Sequence, residues 1–225
     1  MAQNLSLNLQ CHSESTLREE LEQTRVSLSL AETEETWDTI SNALLRMIAL
    51  SKGGACDFPT TLTSSIRSMY RAITSAAASE RSRLSATALE CIASLAVGLG
   101  PSFDPLVPLF IPTLLSLCSR PNKIFISRAK ATIQTIIDQT QLISLLPFFV
   151  GALRDKSVTL RLIAIETLLA CVQCFNPPDL EKDSRARDVE NAIRLTATDA
   201  SADVRRVSRQ VFDAYKILLP ARVER

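Results

Sequence analysis

Apolar residues return at helical spacing in segment after segment, and the segments come in pairs. Ile40, Leu44, Leu45, Ile48 and Ala49 make one stripe, Ile66, Met69, Tyr70 and Ile73 another, and Leu84, Ala88, Leu89, Ile92 and Leu95 a third. A period near 3.6 sustained over runs of this length predicts amphipathic helices. Breakers punctuate the runs: Gly53-Gly54 and Pro59, then Gly98, Gly100 and Pro101, then Pro177-Pro178, and last Pro220. Five helix pairs follow. The first joins Ser15–Leu28 to a helix opening at Trp37. The second runs from Leu62 to Ala78 and from Arg81 to Val97. The third covers Asp104–Cys118 and Ile124–Thr140, with Pro108 and Pro112 expected to bend or shorten its first member. Gln141–Leu153 with Ser157–Phe175 form the fourth, and Ser184–Thr198 with Ala202–Leu218 the fifth.

The second helices recur every 35–45 residues or roughly so, the scale of a two-helix solenoid repeat. One such pair cannot bury both of its apolar faces, so neighbouring pairs must complete the core. Stacking would align the turns inside each pair along one edge. The expected organisation is a flexible leader over residues 1–13, one all-α domain over 14–220 and a terminal tail over 221–225.

Composition agrees with this reading. Hydrophobic residues make up 46% of the 225, whereas aromatics reach only 5%, so the core must be chiefly aliphatic. Five glycines are too few for Gly-rich phosphate loops or a turn-rich all-β fold. The net charge of +1 hides an asymmetry: residues 1–60 hold nine acidic and four basic side chains, and the basic excess lies beyond them. That excess suits an acidic partner but is too weak to identify nucleic acid, and no aromatic series is available to stack bases. No secretory signal or membrane span is evident. Leu106–Leu117 is the most apolar stretch, yet it is short and interrupted by two prolines.

Chemistry-bearing constellations are absent from the sequence. His12 is the lone histidine, and its neighbour Cys11 shares the leader with it. Ser127, Ser157 and Ser208 lie in helical contexts without a nearby base, and no Walker loop or dinucleotide fingerprint occurs. Cys171 and Cys174 have the spacing of a redox or zinc pair. They lie inside an apolar helix with no second ligand pair, so packing without zinc or a stable disulfide is the expectation. No cofactor, metal or catalytic residue is assigned.

What remains are the turns. Arg120, Asn122 and Lys123 stand at the third, Arg154, Lys156 and Arg161 at the fourth, and Arg205, Arg206 and Arg209 at the fifth. Trp37, the single tryptophan, follows the acidic run Glu32-Thr33-Glu34-Glu35 at the first. Its ring suits either an interface anchor or a buried helix start. Asp199 and Asp203 suit capping of the last helix, and Arg205 suits a role in holding adjacent turns together.

Glu34-Glu35-Thr36-Trp37, Lys156-Ser157-Val158 with Arg161, Asp199-Ala200-Ser201-Ala202-Asp203-Val204-Arg205-Arg206 and Phe212-Asp213-Ala214-Tyr215-Lys216 together resemble a TOG domain of the CLASP group of microtubule-associated proteins. The resemblance implies a HEAT-repeat solenoid, a flat array of antiparallel helix pairs whose intra-pair turns contact tubulin. It places Trp37 at the first turn, Arg81 and Arg83 at the second, and Asn122 and Lys123 at the third. Lys156 and Arg161 fall at the fourth, and Arg205, Arg206 and Arg209 at the fifth. The function it implies is non-enzymatic binding of αβ-tubulin or microtubules, with stabilisation or rescue of the polymer in the cytoplasm or mitotic spindle. Other TOG-family or cytoskeletal proteins are further partners it suggests. A HEAT-repeat adaptor that does not touch tubulin is the alternative.

Overall fold

The computed structural model describes residues 9–223, and every regular element among them is helical. The chain divides after Thr113 into two compact units. The first holds α1 (Glu14–Leu28), α2 (Trp37–Lys52), α3 (Pro59–Ala77) and α4 (Ser82–Leu99). Helix α1 packs on α2 and α3, and α4 packs on α2 and α3. First members of the pairs therefore form one layer and second members another, the arrangement that stacking of two-helix repeats demands.

The buried stripe of α1 is Leu17, Leu21, Thr24 and Leu28. Val26 is 56% exposed, because a step of five from Leu21 carries it round to the solvent side. Pro59 stands in the first turn of α3, where a missing amide costs nothing.

A 3-10 turn over Gly100–Leu106 leads into α5 (Val107–Leu117), which runs across the division between the units. Pro108 falls in the first turn of α5, and Pro112 lies within it. The third pair's first helix is thus shortened to eleven residues, its expected opening residues having become the 3-10 turn. Ser82–Leu117 contains a window apolar and long enough to cross a membrane by composition, but 56% of that window is buried in the fold and the turn interrupts the stretch.

The second unit continues with α6 (Lys123–Thr140), α7 (Leu146–Ala152), α8 (Val158–Cys174), α9 (Pro177–Leu180), α10 (Asp183–Ala197), α11 (Ala202–Leu218) and α12 (Pro220–Val223). Helix α8 is central, packing on α6, α7 and α11, while α7 also meets α10. Contact on three sides explains why Leu160, Ile163, Ala164, Ile165, Leu168 and Val172 are all buried without forming one narrow stripe. Truncating Ile165 or Leu168 to alanine would cost about 2–5 kcal/mol.

Both expected termini differ from loose ends where they are described. Cys11 is buried, and its amide donates to the Gly53 carbonyl at 2.7 Å. A Cβ on Gly53 would stand 1.6 Å from the Leu9 carbonyl oxygen, so glycine is what admits the segment there. Residues 9–13 therefore pack against the end of α2, and residues 1–8 of the leader lie outside the described residues. In the tail, Arg222 is anchored to Asp183 at 2.7 Å and to Glu190 at 3.0 Å.

Candidate functional site

The turn inside each pair presents whatever its capping chemistry leaves free. In the first unit that is little. Arg81 donates to Glu32 at 2.8 Å and to Glu34 at 2.6 Å, and Glu32 also accepts from the Ser79 hydroxyl at 2.7 Å. The acidic first turn thus neutralises the cation of the second turn. Arg83 is exposed and lies 5.8 Å from the centre of the half-buried Trp37 ring. Its guanidinium meets the negative face of the indole, an interaction of about 0.5–1 kcal/mol at such sites. Arg81 belongs to the internal bracing of this corner, while Arg83 and Trp37 form one exposed platform.

In the second unit the turns are built by a repeated device. Asp155 Oδ1 accepts from the Ser157 amide at 2.7 Å, and Asp199 Oδ1 accepts from the Ser201 amide at 2.8 Å. Six residues after each aspartate an arginine folds back onto the turn. Arg161 donates to the carbonyls of Asp155 and Lys156, and Arg205 to those of Asp199 and Ala200. Such side chains satisfy carbonyls that precede the helix and would otherwise lack partners. Asn122 is consumed similarly, its side chain capping α6 through the Ile124 amide at 2.9 Å.

Arg161 reaches further. Its Nε and Nη2 hold the Asp199 carboxylate at 2.7 and 3.0 Å, joining the fourth turn to the fifth. The bidentate bond from Arg161 keeps the Asp199 carboxyl below its ordinary range against the opposing effect of burial. Asp199 therefore orders the turn and receives Arg161, and it does not cap the first amides of α11 as expected. Asp203 lies in the first turn of α11 and forms only a 3.5 Å exposed pair with Arg206.

Of the ten residues expected to make contacts, Asn122, Arg161 and Arg205 are thus occupied within their own turns, and Arg81 is tied to two glutamates. Lys123, Lys156, Arg206 and Arg209 are exposed. Lys123, Lys156 and Arg209 have no side-chain partner among the described residues, and Arg206 has only Asp203. Arg154, noticed at the fourth turn but not among the ten, is likewise exposed and has no ionic partner among the described residues. Ile124 and Val158, 55% and 48% exposed, stand at the starts of α6 and α8 beside Lys123 and Lys156. Nothing in their helical spacing singled them out. Their signal is position, since both open a helix just beyond a turn.

No group of three histidine, cysteine or acidic residues suited to hold a metal occurs among the described residues. Cys171 is buried, and burial pushes its thiol well above the ordinary range, whereas Cys174 lies near the surface with its sulfur 3.8 Å from Asp138. His12 is exposed, while burial raises the thiol of its neighbour Cys11.

Residues 17–225 match the family model described as CLASP N terminal. Protein stu-1 of Neurospora crassa is 28% identical over 195 residues, covering 85% of this chain and 17% of that protein. CLIP-associating protein 1 of Xenopus tropicalis is 26% identical over 204 residues, covering 91% of this chain and 14% of the relative. The chain spans about a sixth of the length of these curated relatives. Among solved structures, the TOG domain of Zyg9 from C. elegans superposes with a TM-score of 0.63 at 14% identity, covering 94% of this chain and 79% of that one. That likeness shows the fold.

Proposed function

The chain belongs to the CLASP N-terminal family, and we propose that it is a non-enzymatic tubulin-binding module that promotes microtubule stabilisation or rescue. The observation that carries this reading lies in the second unit. At three successive turns, Lys123, Lys156 and the pair Arg206 and Arg209 project into solvent after the rest of the turn chemistry is satisfied. Fixed turns with exposed cations suit the acidic surface of tubulin, raising encounter rates and selecting orientation more than adding raw affinity. Trp37 keeps part of its ring accessible and offers an apolar contact from the first unit. No covalent step or cofactor enters this mechanism. Preference for one tubulin conformation over another would supply the effect on polymer dynamics. Work at the microtubule cytoskeleton and spindle follows from the same proposal.

Quantitative binding of the chain to soluble αβ-tubulin and to stabilised microtubules across salt concentrations tests it. The double variant Lys123→Ala and Arg206→Ala should bind more weakly with unchanged circular dichroism. Absence of binding to either form at low salt would end the tubulin reading and leave a HEAT-repeat adaptor.

A further inference from the structure

Between the starts of α6 and α8 the second unit contains a valley of about 590 Å³ whose lining includes Arg120, Pro121, Lys123, Ile126, Lys130 and Thr159. No carboxylate lines it. Lys130 shares its charge with Glu166 at 2.7 Å, outside the lining, and Arg120 lies 5.4 Å from the centre of the Phe125 ring. Lys123 has no such neutralising partner among the described residues. Half-buried Ile126 makes its floor apolar, exposed Pro121 adds apolar lining, and the exposed side chains of Ile124 and Val158 stand at the helix starts that flank it. Cations therefore rim an aliphatic floor.

We propose that this valley binds an extended glutamate-rich peptide segment carrying an aliphatic or aromatic side chain, with a carboxylate on Lys123 and the apolar group on Ile126. The proposal rests on the tubulin reading of the same edge and adds a second kind of contact to it, a flexible acidic segment captured beside the folded surface. The occupant follows from charge complementarity and from the floor. A nucleic acid would find cations here but no face to stack on, because the neighbouring aromatic ring, Phe125, is buried. A peptide with alternating acidic and apolar side chains satisfies both the rim and the floor.

The test uses a fluorescein-labelled synthetic peptide of alternating glutamate and isoleucine residues, titrated with the 225-residue chain at low and moderate salt. Saturable binding that weakens as salt rises is expected. Lys123→Glu should weaken it about tenfold, the effect of replacing one attractive charge by a repulsive one near a partly desolvated site. Thr159→Glu provides an independent variant: the residue is exposed in the first turn of α8, where a carboxylate is compatible with the helix dipole, yet it places a negative charge in the valley. It too should lose peptide binding while its melting temperature is kept. A second arm compares intact tubulin with tubulin whose acidic carboxyl-terminal tails have been removed by limited proteolysis. Wild-type chain should prefer intact tubulin several-fold, and Thr159→Glu should bind the two alike.

No saturable peptide binding overturns the proposal, as does equal binding by wild type and both variants. A single-stranded oligonucleotide that competes as well as the peptide does so too. If tail-less tubulin binds wild type as tightly as intact tubulin does, the valley is not used on tubulin, although the module's binding to the folded surface stands. If neither form of tubulin binds, the tubulin reading itself fails, and the peptide titration still decides what the valley holds.

Discussion

Arg161 holds Asp199 through two parallel bonds, Nε to Oδ2 at 2.7 Å and Nη2 to Oδ1 at 3.0 Å, with the two side chains only 14% and 9% exposed. The contact links residues 38 positions apart and locks the fourth turn to the fifth. Removing Arg161 leaves Asp199 without its main partner, and the turn carbonyls of Asp155 and Lys156 lose a donor as well. Arg161→Ala should therefore lower stability by about 1–3 kcal/mol in chemical denaturation, the cost of stranding partly buried polar groups. An exposed tubulin contact at Arg161 would instead lower binding with the stability unchanged.

The same pair sets an acid dependence. The folded Asp199 carboxyl titrates below its unfolded value because of the bond from Arg161. Its contribution is fully present above the unfolded value near pH 4 and disappears as pH falls through the lower folded value. Melting temperatures of wild type and Asp199→Asn should differ most at neutral pH and converge as pH falls below the unfolded value.

Tyr215 gives an alkaline signature. Burial, reinforced by its 2.6 Å bond to Glu190, pushes its hydroxyl up to about 12. A raised folded value favours the protonated form, so this stabilisation holds below the unfolded value near pH 10 and is lost as pH climbs toward 12. Ultraviolet titration of the folded chain should show a tyrosinate step near that value, absent from Tyr215→Phe.

Trp37 is the only tryptophan, which makes its contact with Arg83 readable by fluorescence. Arg83→Ala should increase quenching of Trp37 by acrylamide while lowering stability by no more than about 1 kcal/mol. Unchanged quenching would mean that the guanidinium does not cover the ring.

Gly53→Ala should dislodge the segment around Leu9 and Cys11, since the added carbon would meet the Leu9 carbonyl oxygen. Backbone must shift to relieve it, at a cost of about 1–3 kcal/mol. Faster labelling of the Cys11 thiol, with the core of the first unit still protected from hydrogen exchange, is the expected result.

The helix pairs were legible because their evidence is local. Stripes such as Leu84, Ala88, Leu89, Ile92 and Leu95 turn at the helical period, and Gly53-Gly54 and Pro177-Pro178 interrupt them, so the ladder follows from residues a few positions apart. The segments Lys156-Ser157-Val158 with Arg161 and Asp199 through Arg206 were equally visible. Which arginines remain free was not. Arg81 is claimed by Glu32 and Glu34 nearly fifty residues earlier, and Arg161 by Asp199 in the following pair. Spacing along the chain cannot rank a cation as contact or brace when its partner arrives from another repeat. Only the packing of one repeat on the next brings those carboxylates within hydrogen-bonding reach, and that packing leaves Lys123, Lys156 and Arg209 facing solvent.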